Sequence, residues 1–215
     1  MSTLLRASEL AKLPVVTFVG EAVGQIKDIV YAADGGQVNA FTLAGRGLFA
    51  GPLNTAVPWA DVVGLGPDAM VIESEKVIVP TGDVLAPAAT SSGGGGNVLR
   101  SRVLTDQGTA LGVVNDVIIG IAGQGAQADV IGYEIEPAET LGRGRQRLLI
   151  PLPDTLAASG ENLVVPAAAS QYLTDDLARF GSVVDSFRSQ LEAPASAGSS
   201  SAAQTSAAPT SAAGQ

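Results

Sequence analysis

A mainly β chain built from two tandem small antiparallel barrels, followed by an amphipathic helix and a disordered tail, is the fold the sequence predicts. Three observations carry that expectation. Gly20-Glu-Ala-Val-Gly-Gln-Ile-Lys-Asp-Ile29 near the start returns as Gly108-Thr-Ala-Leu-Gly-Val-Val-Asn-Asp-Val117 past the middle, a glycine turn feeding a β-branched strand that keeps one carboxylate. Short apolar runs alternate with turns rich in glycine and proline, as in sandwiches and barrels. The hydrophobic residues, 46% of 215, are mostly aliphatic and sufficient for two cores of about 75 residues each. Domains that small are marginal alone and gain by packing together.

Taken in order, Ser8-Glu-Leu-Ala-Lys-Leu13 reads as a helical turn capped by Ser8 and stopped by Pro14. Val15–Val19 is a first strand. After the turn from Gly20 to Gly24, Ile26–Tyr31 is a second, closed by the hairpin signal Asp34-Gly35-Gly36. Val38–Leu43 returns as a third. Gly45 to Asn54 reads as a loop, Ala56–Trp59 as a short strand, Gly66-Pro67-Asp68 as a turn and Ala69–Glu73 as the last strand of the first copy.

The second copy follows the same plan. Val130–Ile135 matches Val38–Leu43, Leu149–Asp154 matches Ala56–Asp61, and Glu161–Val165 matches Asp68–Ile72. Domain bounds follow: 6–79 and 98–172 for the copies, 80–97 for a linker of Pro, Ser and four consecutive glycines, 173–192 for a helix and 193–215 for the tail. Leu173, Leu177, Phe180, Val184, Phe187 and Leu191 are spaced 4, 3, 4, 3, 4, which demands burial of one helix stripe. Docking on the chain's own barrels and homodimerisation through Leu177, Phe180, Val184, Phe187 and Leu191 are both open. From Ala193 onward only Ala, Ser, Pro, Thr, Gly and Gln occur, too polar and simple to pack.

With the Ser-Glu-Leu start, the Pro-Val-Val strand, the Gly-x-x-[Val/Leu]-Gly-x-[Ile/Val]-x-Asp block and the later [Val/Ile]-Pro-x-x-Asp segment, each copy resembles the PRC-barrel family. The similarity covers roughly residues 6 to 79 and 97 to 170. What the resemblance implies is a small, mostly antiparallel barrel that holds protein partners and carries no catalysis of its own. Relatives of that kind serve in photosynthetic reaction centres, ribosome maturation and cell division.

Composition narrows the function further. A net charge of −9 opposes broad attraction to nucleic acid or anionic lipid, because counterion release needs a basic footprint. No cysteine excludes disulfides, and no histidine removes the usual proton carrier and the commonest metal ligand. No apolar run reaches a membrane span and no signal peptide is visible, so a cytoplasmic location is expected.

The candidate sites each compete with a plainer reading. Asp28 and Asp116 share a repeat position; as a pair they suit acid and base work or a cation, but a strand carboxylate more often accepts backbone hydrogen bonds. With Gly20, Gly24, Gly108 and Gly112 they are read as the structural motif of the repeat. Gly123-x-Gly125-x-x-Ala128 imitates a dinucleotide fingerprint but lacks room for the helix that must follow. Arg143, Arg145 and Arg147 form the one basic cluster, suited to an anion or an acidic partner, against a solvated loop balancing Glu134, Glu136 and Glu139. Trp59 and Phe49 are read as core before partner contact. No catalytic residue, cofactor or metal is expected. The leading expectation is a non-enzymatic adaptor for a protein partner, the alternative a small-ligand or anion binder using the arginines.

Overall fold

The computed structural model describes residues 3–32, 36–46, 51–89, 98–122, 127–144, 146–152, 157–159 and 161–192. Strands dominate: β1 (Thr3–Arg6), β2 (Pro14–Thr17), β3 (Ala22–Tyr31), β4 (Val38–Ala44), β5 (Pro52–Pro58), β6 (Val62–Leu65), β7 (Met70–Ile72) and β8 (Val79–Pro80) come first. Then follow β9 (Arg102–Thr105), β10 (Ala110–Ala122), β11 (Gln127–Pro137), β12 (Leu148–Pro151), β13 (Ala157–Ser159) and β14 (Asn162–Val165). Three helices, α1 (Ala7–Leu10), α2 (Thr81–Ala89) and α3 (Leu177–Glu192), join them.

The strands form two sheets. The first runs β6-β7-β2-β3-β4-β5-β8, and the second runs β13-β14-β9-β10-β11-β12 with β1 added to β10. Strand for strand the order is the same, down to one parallel pair in each sheet, β2 with β7 and β9 with β14. The sheets meet through matching positions: Gln37 bridges Asp129, and the Val130 N–H donates to the Gly36 carbonyl at 2.8 Å.

The repeated glycines have separate causes. Gly20 and Gly108 sit in hairpins at φ +85° and +79°, where an L side chain is strained. Gly24 and Gly112 lie inside strands, pressed against the neighbouring strand. A Cβ at Gly24 would stand 3.0 Å from the Ala44 carbonyl oxygen, and one at Gly112 would collide with the Glu136 carbonyl.

One contiguous core runs through both halves, from Val15, Ile26, Phe41 and Met70 to Val103, Leu111, Ile135 and Ile150. The opposite face of each sheet is roofed by a helix. Under α2, Val84 packs on Val30, Ala40 and Ala56; under α3, Phe180 and Val184 pack on Ile118, Ile131 and Leu149. A Cβ at Gly132 would collide with the Ile150 carbonyl oxygen and stand 2.5 Å from Phe180 Cζ, so only glycine fits beneath the ring.

Several sequence expectations change: β5 begins at Pro52, inside the stretch read as a loop, and β2 ends at Thr17, short of Val19. The stretch read as a linker begins with α2. The predicted helix over 173–192 starts at Leu177, because Thr174 pairs with Leu149 as an extended residue and Asp176 Oδ1 accepts the Ala178 N–H at 2.9 Å, capping the helix there. Ser8 does not cap the first turn; it lies inside α1. Residues 3–6, unassigned from sequence, form a strand. The tail from Ala193, with the hairpin residues Asp34 and Gly35, lies outside the described residues.

Gly112→Ala should lower stability by about 1–3 kcal/mol, as overpacking against backbone does, whereas Gly24→Ala should cost less than about 1 kcal/mol, because the contact there is looser and alanine restricts the unfolded chain. Urea midpoints at unchanged slope measure both, and equal losses would contradict the different packing.

Candidate functional site

The amino-terminal strand belongs in space to the second half. β1 pairs antiparallel with β10, Leu5 opposite Ile119 and Arg6 opposite Ile118, and Leu4 packs beside α3. Two carboxylates of the second sheet hold it. Asp116, 4% exposed, accepts the Ser8 N–H at 3.2 Å, the Ser8 hydroxyl, and the Val117 N–H at 2.8 Å. Glu134, also 4% exposed, accepts from Arg6 Nε at 2.7 Å, from Arg147 at 2.8 Å and from Asn115 Nδ2 at 3.1 Å. Burial alone would push the Glu134 carboxyl up, but hydrogen bonds from Arg147 and Arg6, with their charge, hold it below the usual glutamate range. The Tyr31 phenol, from the first sheet, is raised by burial and further by the charges of Asp116 and Tyr133.

The repeat carboxylates therefore differ. Asp116 is buried and saturated as a structural acceptor. Asp28 is 64% exposed at its side chain and pairs with Lys27 at 3.2 Å. Asp28 and Asp116 lie on different sheets with unlike surroundings, and the described residues bring no three His, Cys, Asp or Glu together as a metal site.

Two of the three arginines can be placed. Arg147 is bound to Glu134, Arg143 is exposed, and Arg145 lies outside the described residues. Gly123 and Gly125 also lie outside them, and the chain resumes as the strand β11 rather than a helix. Phe180, Val184 and Phe187 are 0%, 2% and 0% exposed against the chain's own sheet and turns, and Leu177 packs with them; Leu191 is 43% exposed. The helix stripe is thus covered within the chain. Trp59 is buried, its ring 6.0 Å from that of Phe41, while Phe49 is outside the described residues. No helix among the described residues is long and apolar enough to cross a membrane.

What sequence reading passed over is the tip between β2 and β3. Phe18 is 68% and Val19 80% exposed. Beside them on the outer face of the sheet lie Val16 and Val71, opposite each other in register, and Val63 of β6, 46% exposed. The corresponding tip of the second half carries Asp106 and Gln107, and Asp106 accepts the Ala167 N–H at 3.0 Å. Aligning the copies residue by residue exposes the contrast, since an apolar pair in a turn has no counterpart in its twin.

Glu134 stabilises the fold above the ordinary glutamate pKa of about 4.3, and that contribution is lost as pH falls through its lower folded value. Glu134→Gln should cost about 1–3 kcal/mol at pH 7, with the gap from the parent narrowing below about pH 4. Denaturation curves across that range check the sign; a gap that widens on acidification would overturn it.

Residues 2–79 match the PRC-barrel domain family. No curated protein matches the chain. The matched segment contains β1 to β7, the exposed Phe18-Val19 tip and Asp28, so the surfaces left open by this fold stand on a PRC-barrel domain.

Proposed function

We propose that the chain is a non-enzymatic cytoplasmic adaptor made of two tandem PRC-like barrels, the first presenting a surface to a protein partner. One observation carries this reading: Phe18 and Val19 stand in water at a position where the second half places Asp106 and Gln107. Exposing two large apolar side chains forgoes burial worth about 1.5–3 kcal/mol for each fully buried side chain, and the twin turn shows that the fold does not require it. Val63 is also exposed, and the part-buried Val16 and Val71 lie opposite each other in the same sheet; exposed apolar side chains gathered in one region mark interaction sites. The family match over residues 2–79 is compatible with the same reading, because resemblance to PRC barrels implies a domain that holds protein partners. The same strand order in both sheets supports the tandem arrangement.

An anion site at Arg143, Arg145 and Arg147 has less support, because Arg147 already neutralises Glu134.

The double substitution Phe18→Asp, Val19→Gln copies the second half's own residues. Used as bait in the native host's extract, it should lose partners that the parent chain captures, while its melting temperature stays within a few degrees. Capture of the same proteins by both baits would remove the tip from the interface, and no specific capture by the parent would remove the adaptor reading.

A further inference from the structure

The two sheets have corresponding edges along β3 and β10, and among the described residues one segment, residues 3–10, fills the second of them. On the second sheet, residues 3–10 dock along β10: the backbone of β1 pairs from Ile118 to Ile121, and Ser8 of α1 caps Asp116. The matching edge of the first sheet is Val30–Ala32, with Asp28 at the place of Asp116. Up to Ile26 the two edges are alike, since Ile26 exchanges backbone hydrogen bonds with Lys12 and Leu13 as Val114 does with Arg100 and Ser101. Beyond Ile26, β3 pairs among the described residues with β4 alone.

Three features accompany the unpaired edge. Asp28 is exposed where its twin is saturated. Leu85 of α2, 43% exposed, follows Val84 as Gly181 follows Phe180, and Gly181 is the residue facing Leu4 of β1. The segment of the second half that corresponds to residues 3–10 is Ser91-Ser-Gly-Gly-Gly-Gly-Asn-Val98, which has no Leu-Leu pair, no arginine and no serine at the capping position.

We infer that the β3 edge from Asp28 to Ala32 is a docking site for a segment of another polypeptide with the chemistry of residues 3–10. That occupant is a short apolar strand leading into a helical turn, with a serine whose N–H and hydroxyl bind the Asp28 carboxylate. Strand addition supplies backbone hydrogen bonds, and the serine and the residue meeting Leu85 supply selectivity. A second copy of this chain does not fit the count, because its residues 3–10 already satisfy Asp116 and Glu134. This inference rests on the adaptor reading and names the chemistry of its partner.

The test uses the full chain and a synthetic peptide with the sequence of residues 1–12, followed by titration calorimetry and amide NMR. One peptide should bind per chain, with shifts confined to Asp28–Ala32 and α2. Asp28→Ala in the protein, or Ser8→Ala in the peptide, should each weaken binding by about tenfold, the worth of one charge-assisted hydrogen bond. No saturable binding, binding indifferent to Asp28, or shifts at Ile118–Ile121 showing that the peptide has displaced β1 would each overturn the inference. Such a failure leaves the capture experiment on Phe18 and Val19 standing, since that surface is separate.

Discussion

The amino-terminal segment and the two buried carboxylates beneath it hold the structure together. A carboxylate removed from water is costly unless its oxygens are fully hydrogen-bonded. Glu134 receives an arginine from each side and Asn115 besides, and Asp116 receives both donors of Ser8. Arg6 lies 128 residues from Glu134 and Ser8 lies 108 from Asp116. The second sheet is thus completed by the segment that precedes the first sheet, and the first sheet enters the same core through Leu13, Val15 and Ile26. Contacts of such sequence separation bring loop-closure entropy into the folding barrier, so slow folding follows from topology rather than from weak packing.

That arrangement explains why halves with one strand order are not interchangeable. Where they match, the match has a steric cause, as in the positive φ at Gly20 and Gly108 and the close strand approach at Gly24 and Gly112. Where they diverge, the differences sit on surfaces. Phe18 and Val19 replace Asp106 and Gln107, and Asp28 is open where Asp116 is covered. Among the described residues, β1 closes the β10 edge of the second sheet, and β3 beyond Ile26 pairs with β4 alone.

Much of this was legible in the sequence. The turn glycines, the central strands and the stripe of α3 follow from local chemistry and periodicity, and the structure keeps them with boundaries moved by a few residues. The misses have physical reasons. Four residues, Thr3-Leu-Leu-Arg, show no period of their own, and their pairing depends on a strand more than a hundred positions away. α2 contains Gly82 and Pro87, poor helix formers, and its residue Val84 is held by burial on Val30 and Ala56. Asp28 and Asp116 look alike in sequence because the difference between them lies in what covers them. Arg143, Arg145 and Arg147 looked like one cluster because alternation puts them on one face, yet Arg147 turns to a buried glutamate from the neighbouring strand.

The charge of the chain bears on how an open surface of this kind works. At −9 overall, long-range attraction favours cationic partners only, while Phe18 and Val19 carry no charge and a strand edge offers neutral backbone groups. Affinity at these surfaces then comes from apolar burial and backbone pairing, which are blind to sequence. Selectivity falls to the few side chains that the incoming segment must satisfy, and among them an exposed carboxylate is the most discriminating, because covering it without a donor leaves a charge unpaired. The chain already contains a solution to that problem in Ser8 over Asp116, which makes its own amino terminus the template for what the first half lacks.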